Sequence, residues 1–102
     1  EHDLEDDSFW ILKETGKYLA KARAPLKEFC AEAGLDLTAV EDIDSEDIDT
    51  LGGLVFMLAG RVPVRGEMIL HPAGVEFEIL DADARRVKRM RVQLPKSKQL
   101  AE

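Results

Sequence analysis

The chain contains a single cysteine, Cys30, in 102 residues. A lone cysteine closes no internal disulfide, so the fold owes nothing to oxidative stapling, and a reducing, cytoplasmic setting is the easier reading. No apolar run approaches the roughly 20 residues that a bilayer-spanning helix needs. No basic-then-apolar opening of the secretory type is present either. The two histidines, His2 and His71, lack the paired His or Cys partners of a transition-metal site. Neither the phosphate loop Gly-x-x-x-x-Gly-Lys-Ser/Thr nor the dinucleotide fingerprint Gly-x-Gly-x-x-Gly occurs. There is no internal repeat. An initiator methionine is also missing, and Glu1 as first residue suggests an excised piece or processed product of a longer parent.

What is present fits one globular domain: 45% of residues are hydrophobic and 34% charged, at a length with room for a single core. The net charge of -7 is unevenly spread, with 5 basic and 15 acidic side chains in residues 1–50 but 9 and 6 in residues 51–102. An acidic balance argues against nonspecific nucleic-acid binding, which depends on neutralising phosphates.

The opening EHDLEDDS, with five acidic side chains and a lone Leu4, reads as a solvated linker over residues 1–8. FWILKE and KYLAKA flank Thr15-Gly16 as a hairpin. Leu26, Phe29, Cys30 and Ala33 then share one helical face, with Pro25 suited to the first helical position and Gly34 to the C-terminal cap. After an acidic loop, Asp49 or Thr50 caps a second helix running to Ala59, ended by Gly60 and Pro63. From Glu67 the period becomes two, giving strands at EMILH and VEFEILD around Pro72-Ala73-Gly74, and a returning strand at RRVKRMRVQL after the turn DADA. Residues 95–102 read as a frayed tail, leaving 9–94 as the domain.

Pairing these last two strands so that Phe77 meets Met90 and Val75 meets Val92 sets Glu78 against Arg89 and Glu76 against Arg91, with a bulge near Val87 to Arg89. The basic run is then a charge-paired sheet face, and only Arg85, Arg86 or Lys88 stays free to attract an acidic partner.

Gly52 and Gly53 lie in the first turn of the second helix, where each costs about 1 kcal/mol relative to alanine. A phosphate cradle is disfavoured by the acidic residues Asp44 to Asp49 just upstream, which repel an anion. The better reading is that the missing side chains let a strand or loop approach the helix backbone, so a Gly53→Val change is expected to clash. Leu51, Leu54, Val55 and Leu58 form an apolar stripe. Phe56, Met57 and Ala59 widen it, as expected for a central core helix or, at Phe56 and Met57, for a partner contact. The run Glu41, Asp42, Asp44, Glu46, Asp47, Asp49 fails as an EF-hand, with Asp47 at the glycine position and Gly53 at the glutamate position. It is a solvated loop, with weak divalent-cation binding as an outside reading. Cys30 sits on an apolar helical face without a histidine partner, and no catalytic set or cofactor site emerges.

The stretch DIDTLGGLVFMLAGRVPVRGE, followed by GVEFEILDADARRVKRMRV, resembles the transporter-associated domain of the CorC/HlyC family. The shared features are Asp49-Thr50-Leu51-Gly52-Gly53, a helix, Gly60-Arg61-x-Pro63, Gly66, and a strand pair ending in a basic-apolar run. The earlier GKYLAKARAPLKEFCAEAGLDL resembles the family's strand, proline-started helix and Gly-Leu-Asp-Leu exit, with Ala24 departing from the family's frequent capping hydroxyl. The resemblance implies an α+β fold, a mainly antiparallel sheet of about five strands with two helices, akin to a subdomain of a PCMH-type FAD-binding fold. It also implies a C-terminal, non-catalytic accessory domain of a bacterial protein with CBS domains and often a membrane domain. Such proteins are associated with magnesium and cobalt efflux or called hemolysin-like, which sets this domain on the cytoplasmic side of the inner membrane. The competing expectation is a flavin adenine dinucleotide or adenine nucleotide binding module. Homo-oligomerisation is left open.

Overall fold

The computed structural model describes residues 9–38 and 48–95. The expected linker 1–8 with His2, the acidic run through Asp47, and the tail from 96 onward lie outside the described residues.

The elements follow in the order β1 (Trp10–Glu14), β2 (Lys17–Lys21), α1 (Leu26–Ala33), α2 (Leu51–Ala59), β3 (Met68–Leu70), β4 (Glu76–Ala82) and β5 (Val87–Gln93). The strands form one antiparallel sheet ordered β1-β2-β5-β4-β3, so the α+β class with five strands and two helices holds. The last strand takes the centre because it is apolar on one face against both neighbours. Val92 pairs with Tyr18 and Phe77, and Met90 pairs with Ala20 and Ile79. All six are buried.

That band is the sheet side of the core, and the helices cover it. From α1, Phe29 meets Trp10 and Tyr18 edge to face, with ring centroids 5.3 and 5.1 Å apart. Each such pair adds about 0.5–1.5 kcal/mol beyond area burial. Leu26 and Ala33 are buried with Phe29, while Cys30 is half-buried at the edge of the stripe. Pro25 stands one residue earlier than expected: it is the capping residue, with ψ 126°, and offers no side-chain cap. The shift has a visible cause. Pro25 bridges to Thr50, and the Leu26 N–H donates to the Asp49 carbonyl at 2.8 Å, which holds Pro25 extended rather than helical.

In α2, Thr50 rather than Asp49 is the cap, its hydroxyl accepting the Gly53 N–H at 3.1 Å. Leu51, Leu54 and Val55 are completely buried and Leu58 partly so, but Phe56 is 50% exposed. The helix is therefore buried on one side rather than all round. Gly60 ends it in the left-handed region at φ 76°. Beyond it the Arg61 guanidinium grips both oxygens of the Glu67 carboxylate, Pro63 is buried, and Gly66 at φ 89° donates its N–H to the Ile79 carbonyl at 2.7 Å. Of the motif residues after α2, Gly66 thus ties the loop to β4, and Arg61 clamps the loop on itself through Glu67.

The β4–β5 register differs by two residues from the expected one: Glu78 pairs with Arg91, and Glu76 with Gln93. Side chains alternate with period two, so a slip of two keeps apolar on apolar and charge on charge, and the pattern alone does not tell the registers apart. Two irregularities set the turn, one passing over Leu80 and one over Lys88. The second falls within the expected bulge region.

Candidate functional site: a basic groove at the start of α2

The glycine pair resolves into two different roles. The Gly52 N–H donates to the Ala22 carbonyl at 2.7 Å, and a Cβ at position 52 would lie 2.9 Å from that of Ala22. Gly52 is the close approach. A Cβ at Gly53 would meet only Thr50 Oγ1 at 3.5 Å and Ile48 Cγ2 at 3.6 Å, ordinary contact distances, so the expected clash belongs to position 52 instead. The Leu51 N–H is bonded to the Ala24 carbonyl at 3.1 Å, and the Leu54 N–H to the Thr50 carbonyl. The N–H groups of Leu51, Gly52, Gly53 and Leu54 are thereby all occupied, and none of these four is left to cradle a phosphate.

Around this junction lies an open groove of about 730 Å³. It is lined by Ala22 and Arg23 just beyond β2, by Gly52 and Phe56 of α2, and by Val62 and Pro63 of the loop after α2. Residues of the β4–β5 turn complete it. Six cationic side chains line it, Lys21, Arg23, Arg85, Arg86, Lys88 and Arg89, against one acid, Asp81. Pairing of Lys21 with Arg89, continued by the Ala22 N–H to the Lys88 carbonyl at 2.9 Å, is what brings the two basic stretches together.

The turn is built to display its arginines. Asp83 Oδ1 accepts the backbone N–H groups of Arg85 at 2.8 Å and Arg86 at 3.0 Å. Those two bonds, more than the nearby charges, hold its carboxyl below the usual aspartate range. Its other oxygen meets Lys88 Nζ at 3.7 Å, and Arg89 meets Asp81 at 3.8 Å. Lys88 is therefore charge-paired, contrary to expectation, whereas the Arg85 and Arg86 guanidinium groups make no ion pair among the described residues. Arg23 stacks over the Phe9 ring, 5.8 Å from its centroid.

Of the residues expected to form a partner surface, Phe56, Arg85, Arg86 and Lys88 line this groove together, and Met57 does not: it packs against the core. Sequence reading missed Lys21, Arg23 and Arg89 as groove residues. Burial raises the Cys30 thiol above its ordinary value, and its sulfur accepts the Leu37 N–H at 3.4 Å. His71 is buried, with Nδ1 accepting the Ala73 N–H at 2.9 Å and Nε2 2.7 Å from the Leu37 carbonyl, so it ties the β3–β4 turn to the exit of α1. Among the described residues no three His, Cys, Asp or Glu side chains converge as metal ligands, and no helix is long and apolar enough to cross a membrane.

The family model named CorC_HlyC, transporter associated domain, matches residues 12–96. The chain belongs to this family. It is 32% identical over 95 residues to the magnesium and cobalt efflux protein CorC of Escherichia coli K12, covering 93% of this chain and 30% of that relative. The chain thus spans under a third of the relative's length. Two solved structures share the fold. The transporter associated domain from a CBS domain protein of Porphyromonas gingivalis is 20% identical with a TM-score of 0.69, covering 86% of this chain and 98% of its own. The CorC_HlyC domain of a Xylella fastidiosa Temecula1 hemolysin, in complex with Mg++ and Mn++, is 24% identical with a TM-score of 0.65, covering 85% and 98%.

Proposed function

We propose that this chain is a non-catalytic accessory domain of a bacterial CorC/HlyC-type protein, where it modulates magnesium or cobalt efflux, or serves a hemolysin-like parent. It acts from the cytoplasmic side of the inner membrane, or in the cytoplasm where the parent lacks membrane spans. Its contact surface toward the CBS and membrane domains is the groove at the start of α2. One observation carries the reading: Phe56, half-exposed on the face of α2 away from the buried Leu51, Leu54 and Val55, lines the same groove as Arg85 and Arg86. An exposed aromatic beside guanidinium groups that make no ion pair among the described residues is the composition of an interaction hot spot, not of a packed core.

The expected likeness to a PCMH-type flavin-binding subdomain would bring no backbone site at Leu51 to Leu54, whose N–H groups are bonded within the chain. A flavin or adenine nucleotide reading therefore has no backbone cradle to draw on there. Weak divalent-cation contact at the acidic run is a lesser part of the proposal, supported by the Mg++ and Mn++ in the Xylella relative. A second copy of the chain is the other candidate occupant of the surface.

The test is transport by the full parent protein carrying Phe56→Asp with Arg85→Glu and Arg86→Glu. At equal membrane abundance, the rate of cobalt or magnesium efflux from loaded cells should change severalfold. Wild-type efflux from that variant would refute the regulatory reading.

A further inference from the structure

More than half of the chain's acidic side chains lie outside the described residues. Residues 9–38 and 48–95 carry 12 Lys and Arg against 10 Asp and Glu, whereas residues 1–8 carry five acids and no Lys or Arg. The groove has the opposite composition, six cations and one acid. Residues 1–8 also join the fold at the groove itself. Phe9 accepts the Lys21 N–H on its carbonyl at 2.8 Å and lies under the Arg23 guanidinium, and both Lys21 and Arg23 line the groove.

We infer that the basic groove is the docking site of the chain's own acidic residues 1–8, with Glu5, Asp6 and Asp7 facing Arg85 and Arg86 and the lone apolar Leu4 on Phe56. Reach is no obstacle. Eight residues extend to about 26 Å, and the groove's Lys88 and Arg89 stand on β5, directly paired to β2. A tethered segment meets its site at an effective concentration in the mM range, so an intrinsic affinity of the same mM order populates the docked state. A carboxylate-rich peptide fits better than a phosphate here, because the cations come from two stretches, Lys21 to Arg23 and Arg85 to Arg89, and the Leu51 to Leu54 N–H groups of α2 are already bonded and cannot converge on one anion. Since residues 1–8 precede the domain, their docking would couple its orientation to whatever lies upstream, and any acidic partner must displace them.

The inference rests on reading this groove as the contact surface. It is tested on the full chain carrying a nitroxide at His2→Cys in a Cys30→Ala background. At about 50 mM salt the label should broaden the amide signals of Arg85 to Lys88 at least about twofold, and broadening should vanish near 500 mM, where screening is short-ranged. It should also vanish in Arg85→Glu/Arg86→Glu. A second measurement avoids the cysteine change: converting the five acids of residues 1–8 to amides should shift the same amide signals in the otherwise native chain. No broadening at low salt, broadening that survives charge reversal, or no shift on neutralisation would each overturn the inference. So would equal broadening of unlabelled chains by labelled ones, which would make the occupant a second copy. If groove substitutions alter efflux while the broadening is absent, the regulatory reading stands and this one falls.

Discussion

Gly52 and Ala22 are locked together twice, by a 2.7 Å hydrogen bond from the glycine N–H to the alanine carbonyl and by a spacing that leaves no room for a Cβ at position 52. Ala22 is buried and its side chain is a single methyl, so neither partner has a flexible end to move aside. Gly52→Ala should therefore destabilise the domain by about 1–3 kcal/mol, although alanine is the better helix former. Gly53→Ala should be neutral or stabilising by up to about 1 kcal/mol, since its Cβ would meet only ordinary contacts. Denaturant unfolding of the two variants side by side decides the point, and equal losses would remove the distinction.

The Thr50 cap gives a second prediction. Its hydroxyl satisfies the Gly53 N–H, and Thr50→Ala should cost about 1 kcal/mol while Thr50→Ser costs little. The difference in denaturation midpoint between the two variants is the readout.

Acid should act through Glu67. Bonds from Arg61, then from the Val64 N–H at 3.1 Å, bring its carboxyl down from 4.5 to about 2. A group whose folded value lies below its unfolded one contributes fully above the unfolded value and loses that contribution as pH falls through the folded one. The window therefore runs from about 4.5 down to about 2. Carbon-detected titration of the Glu67 carboxyl should give a midpoint well below 4, and Glu67→Gln should flatten that part of the acid-unfolding curve. A midpoint near 4.5 would contradict the clamp.

His71 makes one buried hydrogen bond, at the Leu37 carbonyl, and one part-buried bond, from the Ala73 N–H. His71→Ala leaves the Leu37 carbonyl and the Ala73 N–H unpaired, a loss of about 1–3 kcal/mol. His71→Phe refills the volume but restores neither bond, so it should remain destabilised in the same unfolding assay.

These features differ in how far the sequence announces them. Hairpins, helix stripes and the Gly34 and Gly60 ends are local, written within a few residues of where they act, and they are where the periodicity puts them. The groove is not local. Arg23 and Arg85 become neighbours only because β5 inserts between β2 and β4, and neither strand's own pattern states that partner. Glu67 was equally silent, since a clamp across an irregular loop has no period. The Pro25 position failed for a related reason: a distant bridge to Thr50, not the proline ring, decides where α1 begins.

The β4–β5 register gives the sharpest remaining test, because the expected and observed pairings make opposite statements about two glutamates. In the structure Glu78 Oε1 accepts from Arg91 Nη1 at 2.7 Å, while Glu76 stands opposite the uncharged Gln93. Both members of the first pair are partly solvated, which caps its value in the range of about 0.2–1 kcal/mol for exposed ion pairs. A double-mutant cycle on Glu78→Gln and Arg91→Gln should therefore return a coupling of that size, and it should shrink as salt is raised. The parallel cycle on Glu76→Gln and Arg91→Gln should return a value near zero. The register slipped by two predicts the reverse, with Arg91 coupled to Glu76 and Glu78 coupled to Arg89. Since every buried residue keeps its face in either register, side-chain burial cannot separate them, and the sign of this one comparison can.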